Sequence, residues 1–348
     1  MHSGLISRNA ELPELFLQLA EKDRKAILVT AAQELARSAK VLEKDVWVCW
    51  TLEKLAAMPG VPPFVFKGGT SLSKAYNAIA RFSEDVDVTL DRESIAPGQD
   101  PFAAKTNSQH KKIPKALRKS LVTYMASDMK PYFDECIRTE VPDEAAETEI
   151  DEDKTQLLIH YPSCIGAAGT YMQEHVILEL GCRNKITPAE DKKLEPYVKS
   201  VIDSVKYPEP RVSVLAPQRT FWEKATLIHV ECNNPDPKER MNKYSRHWYD
   251  LAQLASGDIG ESALADLELL EDVVHQKSVL FQYKHANYDQ CLNGKFRLIP
   301  DEHLGTALVK DFNEMVADQY FWEDPGTFED ILSQLADLEA TINKNRSS

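Results

Sequence analysis

The stretch from Phe64 to Leu90 constrains the fold more than any other part of the chain. A short apolar run, Phe64-Val65-Phe66, ends in Lys67-Gly68-Gly69-Thr70-Ser71, continues as the helical LSKAYNAIA and closes on VDVTL at 86–90. This reads as strand, glycine turn, helix, strand. Alternate side chains of a strand share a face and lie roughly 6.5–7 Å apart, so Asp85 and Asp87 point to one side while Val86 and Val88 bury on the other. Two hard oxygen donors on one rigid face suit Mg²⁺, which takes one or two carboxylates and completes its octahedron with water and substrate phosphates. A second ion about 3.5–4 Å away would clamp the attacking and leaving oxygens of a phosphoryl transfer. Backbone N–H groups freed by Gly68 and Gly69 suit phosphate oxygens, and Arg81 and Lys74 add positive charge nearby.

Around this centre the chain is organised in three parts. Residues 11–58 read as helical until Pro59, Gly60, Pro62 and Pro63 stop them. Strand patterns return at QLLIHY (156–161) and HVILELGC (175–182), with Gly166 and Gly169 in the turn between them. A basic stretch (Lys105, His110, Lys111, Lys112, Lys115, Arg118, Lys119) precedes an acidic one at 140–153, which reads as a solvated loop or hairpin tip. After Pro217 the pattern is helical to the end. The expected division is a helical segment over 1–60, a core over 61–215 and a helical C-terminal lobe over 216–348.

Bulk properties exclude several classes. A net charge of −14 argues against coating nucleic acid by bulk electrostatics, although a local basic groove remains open. The six cysteines are scattered with no CxxC pair, which reads as free thiols in a reducing compartment. No apolar run is long enough to span a bilayer, and MHSGLISRNAEL lacks the apolar core of a secretory signal. The expected location is the cytoplasm, with no membrane partner.

The segment FKGGTSLSKAYNAIARFSEDVDVTL (66–90) resembles the AbiEii-type nucleotidyltransferase toxins, a branch of the polymerase-β-like superfamily found in type IV toxin-antitoxin and phage-defence (abortive infection) systems. LEKDVWV (42–48) is similar to that family's EKD helix, APQRTFWEKATLIH (216–229) to its TxxxK motif, and SRHWYDLAQLA (245–255) to its RDxYDL motif. His247 departs from the pattern, standing where an aspartate is common, and threonine intervenes between the second loop glycine and Ser71.

The resemblance implies an α+β fold: a small mixed nucleotidyltransferase-like sheet with flanking helices, plus the helical C-terminal lobe. It implies catalytic roles for Asp85, Asp87, Lys224 and Asp250, with Asp250 either orienting Lys224 or acting as the base. Asp85 and Asp87, with Glu179 as a third carboxylate, would hold two Mg²⁺ ions, with Mn²⁺ as an alternative. Lys67, Gly68, Gly69, Thr70, Ser71, Arg81 and Thr220 would bind the NTP. The implied acceptor is a tRNA 3′ end, touched by the basic stretches at 105–119 and 183–199, and the implied partner is a cognate antitoxin. Transfer to a protein hydroxyl, or a non-catalytic module that binds nucleotide or antitoxin, are the competing readings.

Overall fold

The computed structural model describes residues 14–104, 106–141, 146–166, 175–237 and 243–346, and not the side chains of 107–111. Lys105, Gly169 and the side chains of His110 and Lys111 therefore lie outside the described residues.

The N-terminal helical segment is two helices rather than one. Helix α1 (Glu21–Leu35) ends where Ala36 turns left-handed at φ 50°, and α2 (Ala39–Ala57) then folds back against α1. Alanine carries no breaker signal, so the sequence does not announce this corner. Helix α2 is buried nearly all round. Its Trp47 stacks on Tyr161 at 5.2 Å and its Trp50 meets Phe133 edge-on at 6.1 Å.

Strand β1 (Phe64–Lys67), helix α3 (Gly68–Lys74) and strand β2 (Val86–Leu90) follow as the sequence predicts. After α4 (Arg92–Ile95), the basic stretch becomes α5 (Asn107–Tyr124), which runs through a π turn at Met125–Met129 into α6 (Lys130–Glu140). The acidic stretch supplies β3 (Glu147–Asp151) and the turn into β4 (Gln156–His160), a hairpin. Then come β5 (His175–Gly181), β6 (Ala189–Lys193) and β7 (Arg211–Leu215). The C-terminal half is α7 (Pro217–Cys232), α8 (Arg246–Ala255), α9 (Asp258–Ala265), α10 (Leu267–Leu280), α11 (Glu302–Ala317) and α12 (Phe328–Arg346).

Among the described residues seven strands form one mixed sheet in the order β3-β4-β5-β2-β1-β7-β6. Strand β2 is antiparallel to β1 and parallel to β5, and β1 is parallel to β7. This is the expected α+β arrangement of a mixed sheet with flanking helices, extended at its edge by β6, whose AEDKK shows no apolar alternation. Val86, Val88, Leu157, Ile159, Val176, Leu178 and Leu180 are buried in one core with the apolar residues of α2, which crosses β2, β5 and β7. A second core gathers Phe221, Trp222, Trp248, Leu251, Phe296, Phe312 and Leu335 from the C-terminal helices, and Leu72 and Ile79 join it from the region of α3. The segment between β1 and β2 thus touches both cores. No helix among the described residues is long and apolar enough to cross a membrane.

Candidate active site

Ladder pairing in β2 begins at Val86, so Asp85 sits just ahead of the strand and Asp87 on it, facing away from the buried Val86 and Val88. The Thr70 hydroxyl fixes this entry, donating to the Asp85 carbonyl at 2.6 Å and lying 2.9 Å from Ser83 Oγ. The Ser71 hydroxyl donates to the Gly68 carbonyl at 2.9 Å, and both residues are buried. Their hydroxyls are spent inside the protein and do not line the cavity described below. Thr70 and Ser71 are expected to cradle phosphates; in the structure their hydroxyls shape the loop, and Lys67, Gly68 and Gly69 line the cavity.

Gly68 is required at its position for two reasons. Its φ is +79°, and a Cβ there would lie 1.9 Å from Asp87 Oδ2. At Gly69 a Cβ would lie 2.6 Å from Arg81 Nη2 and 2.8 Å from Ser83 Oγ. We expect Gly68→Ala to cost about 1–3 kcal/mol from the backbone conformation alone and to displace the Asp87 carboxylate. Urea denaturation checks the first effect, and a midpoint equal to wild type would refute it.

The sheet register brings three charged side chains together. Lys67 pairs with Asp87 across β1–β2, and Asp87 with Glu179 across β2–β5. Burial disfavours the charged form of Lys67, yet Asp87, Glu223 and Glu179 hold its ammonium above the ordinary lysine value. Burial raises both Asp85 and Asp87 above the usual carboxylate range; Arg246 is the main opposing charge at Asp85, and Lys67 at Asp87. Arg246 Nη1 stands 3.7 Å from Asp85 Oδ2.

The cations of the protein therefore under-compensate two desolvated carboxylates that line one cavity, and a hard divalent cation fits such a pair. Glu179 lines the same cavity but is exposed, and Gln156 Nε2 donates to its carboxylate at 3.2 Å. Among the described residues no three His, Cys, Asp or Glu side chains gather into a metal-holding group. The expected third ligand is thus beside the aspartate pair rather than converged with it. The two-carboxylate set suits an ion that draws its other ligands from water and phosphate.

Helices α7 and α8 supply the facing wall. Thr220 and Lys224, one turn apart on α7, both line the cavity, and the buried Thr220 Oγ1 has no hydrogen-bond partner among the described residues. Asp250 on α8 is fully buried. It receives Arg81 Nε at 2.6 Å and Nη2 at 2.7 Å, and Lys224 Nζ lies 2.8 Å from its Oδ2. Burial alone would raise its pKa, but Arg81 and Lys224 outweigh burial and hold the carboxyl well below the usual range. Such a group is a poor proton acceptor. Arg81, 1% exposed, also donates Nη1 to the Phe82 carbonyl at 2.8 Å, so its guanidinium is committed to the protein even though it reaches the cavity wall. His247 Nδ1 lies 3.5 Å from Lys224 Nζ, and burial with the neighbouring Lys224 and Arg246 keeps the imidazole neutral.

Buried charges on α2 brace this arrangement. Lys44 Nζ bonds Glu84 at 2.5 Å, and Glu84 also receives Lys243 Nζ at 2.6 Å, linking α2, the approach to β2 and the segment before α8. Asp45 receives Lys74 Nζ at 2.5 Å and the Tyr197 N–H at 2.6 Å. Buried ions persist only when paired in this way. The EKD-like helix is therefore a brace behind the site and not part of its wall.

The resulting cavity holds about 460 Å³ and gathers Lys67, Gly68, Gly69, Arg81, Asp85, Asp87, Glu179, Thr220 and Lys224. The sequence reading missed Arg246, although it lies inside a quoted motif, and also Glu223, Glu231, Tyr244 and Lys277, which share the lining. Lys277 Nζ donates to the Glu223 carbonyl at 2.6 Å, and burial pushes its ammonium down to about 8. Of the basic stretches, Lys112, Lys115 and Lys119 stay exposed along one face of α5. In the second, Lys185 pairs with Asp272, Lys192 with Glu190, and Lys193 and Lys199 with Glu195 and Glu209. Those lysines are ion-paired, and Arg183, which is exposed, lies over the Phe281 ring at 4.5 Å.

Among curated proteins no sequence matches this chain. Among solved structures, MenT4, a nucleotidyltransferase toxin from Mycobacterium tuberculosis H37Rv, is similar at 17% identity over 92% of this chain and 93% of that one, with a TM-score of 0.42. The family model described as nucleotidyl transferase AbiEii toxin, type IV toxin-antitoxin system, matches residues 50–334, which span β1, β2, α7 and α8 with the whole cavity wall they build. The chain belongs to the AbiEii nucleotidyltransferase toxin family of type IV toxin-antitoxin systems.

Proposed function

We propose that the chain transfers a nucleoside monophosphate from an NTP to the 3′ end of tRNA in the cytoplasm, as a phage-defence toxin restrained by a cognate antitoxin. The observation that carries this reading is the meeting of Asp85 and Asp87 with the glycine-lined backbone and Lys224 in one cavity. Asp85 and Asp87 would hold Mg²⁺, or Mn²⁺ in its place, which when bound neutralises phosphate charge and acidifies the attacking hydroxyl. Gly68 and Gly69 expose backbone to the phosphates, and the unpartnered Thr220 hydroxyl supplies a further donor. Lys224 neutralises charge developing on the departing pyrophosphate. Asp250 is a positioning residue that aims Lys224, because its carboxylate is already occupied by two cations.

Lys112, Lys115 and Lys119, three and four residues apart on α5, form the basic face offered to an RNA backbone. The −14 net charge leaves such local faces as the way to recruit a polyanion. The test is incubation of purified protein with each labelled NTP, Mg²⁺, total tRNA and candidate proteins. Label on tRNA is expected. Label on protein would move the acceptor to a side-chain hydroxyl, and label on neither would reject transfer.

A further inference from the structure

We infer that Glu231 and Tyr283, at the end of the cavity away from Lys67, form a nucleobase subsite selecting a base that carries an amino group over uracil. The inference rests on the NTP reading above and assigns the part of that substrate the phosphate site leaves unspecified.

Helix geometry sets the distance. Lys224, Leu227 and Glu231 succeed one another on the cavity-lining face of α7, and the seven residues from Lys224 to Glu231 rise about 10 Å. Lys224 belongs to the Asp250 cluster beside the aspartates, so Glu231 lies roughly a ribose and a base farther along the same wall.

The chemistry changes along that path. Around Lys224 the lining is charged; around Glu231 it is Leu227, Val230, Tyr244, Tyr283 and Tyr288. Tyr283 is 55% exposed, unusual for so large a ring, yet its backbone is ordered: its N–H bonds the Phe281 carbonyl at 3.0 Å and its carbonyl accepts from Ala286 at 3.2 Å. The Tyr288 hydroxyl donates to the Phe281 carbonyl at 3.1 Å and fixes the same segment. The Tyr283 ring lies nearly parallel to that of His285, centroids 5.8 Å apart, and a ring so placed at a cavity mouth is a stacking platform, which any base can use.

Selection falls to Glu231. Among the described residues no ion pair ties down its carboxylate, and Tyr244, whose phenol burial and Glu231 together keep protonated, stands beside it. A carboxylate only accepts hydrogen bonds. It therefore rewards the exocyclic amino group of cytosine, adenine or guanine, which uracil lacks, its single N3–H donor lying between two carbonyls that repel a carboxylate.

The experiment measures binding of CTP, ATP, GTP and UTP with Mg²⁺ to wild type, Glu231→Gln and Tyr283→Ala by calorimetry. Wild type should bind an amino-bearing triphosphate more tightly than UTP by about tenfold or more. Glu231→Gln, which can both donate and accept, should bring that ratio close to one. Tyr283→Ala should weaken all four by about fivefold or more, and its exposure removes folding as an explanation. A wild-type preference for UTP, or a ratio unchanged in Glu231→Gln, overturns the subsite while leaving the transfer reading in place. Absence of binding by any triphosphate overturns both.

Discussion

Asp87→Asn should lower nucleotide transfer by about 10³-fold or more, the scale of losing a directed electrostatic contact, without lowering the melting temperature. The second half of that expectation is the informative one. Burial raises Asp87 and Asp85 above the ordinary carboxylate range, so over the window between their unfolded value of about 3.9 and their folded values the native state binds more protons than the unfolded chain. Stability therefore falls as pH rises through that window, and at neutral pH the full cost is present. Asparagine removes the charge and its desolvation cost, and Lys67 keeps Glu223 and Glu179 as counter-charges. A thermal melt at pH 7 without divalent cations checks this, and a large drop in the Asp87→Asn melting temperature would show that the carboxylate is structural.

Asp250→Ala should behave in the opposite way, destabilising the fold by about 3–5 kcal/mol because it leaves two buried cations without a counter-charge. Arg81 is 1% exposed and the Lys224 side chain 9%, so water cannot replace the lost carboxylate at either. Activity should fall by about 10²-fold or more through misplacement of Lys224. Lys224→Ala provides the contrast: Asp250 keeps both hydrogen bonds from Arg81, so the protein stays folded while transfer is lost. The Asp250 contribution is present above its unfolded value and is lost only as pH falls through the depressed folded one. Chemical denaturation of the two variants side by side checks the pair, and equal stabilities would contradict the arrangement.

The sequence is most legible where chemistry is local: alternation along a strand puts Asp85 and Asp87 on one face, whereas Thr220 and Lys224 enter only through the resemblance to the family's TxxxK motif. For Thr70 and Ser71 a hydroxyl beside a glycine loop serves equally as ligand or brace, and only the folded loop shows both hydroxyls bonded inward. For Asp250 the choice between base and positioning residue turns on Arg81, a partner 169 positions away that no local pattern announces. Arg246 is legible as the arginine of the quoted SRHWYDL motif, whereas no local pattern connects Lys277 and Glu231 to β2; the packing of α7 and α10 does so. The same limit hid the left-handed corner at Ala36 and the strand β6, whose AEDKK is polar throughout.

The most direct test of the central claim is the thermal shift produced by an NTP with and without Mg²⁺ in wild type and Asp87→Asn. A paired-aspartate site in front of a glycine-lined phosphate cavity predicts a shift of several degrees in wild type that requires Mg²⁺, with none in Asp87→Asn. A shift of equal size without metal, or one that survives in Asp87→Asn, would contradict it.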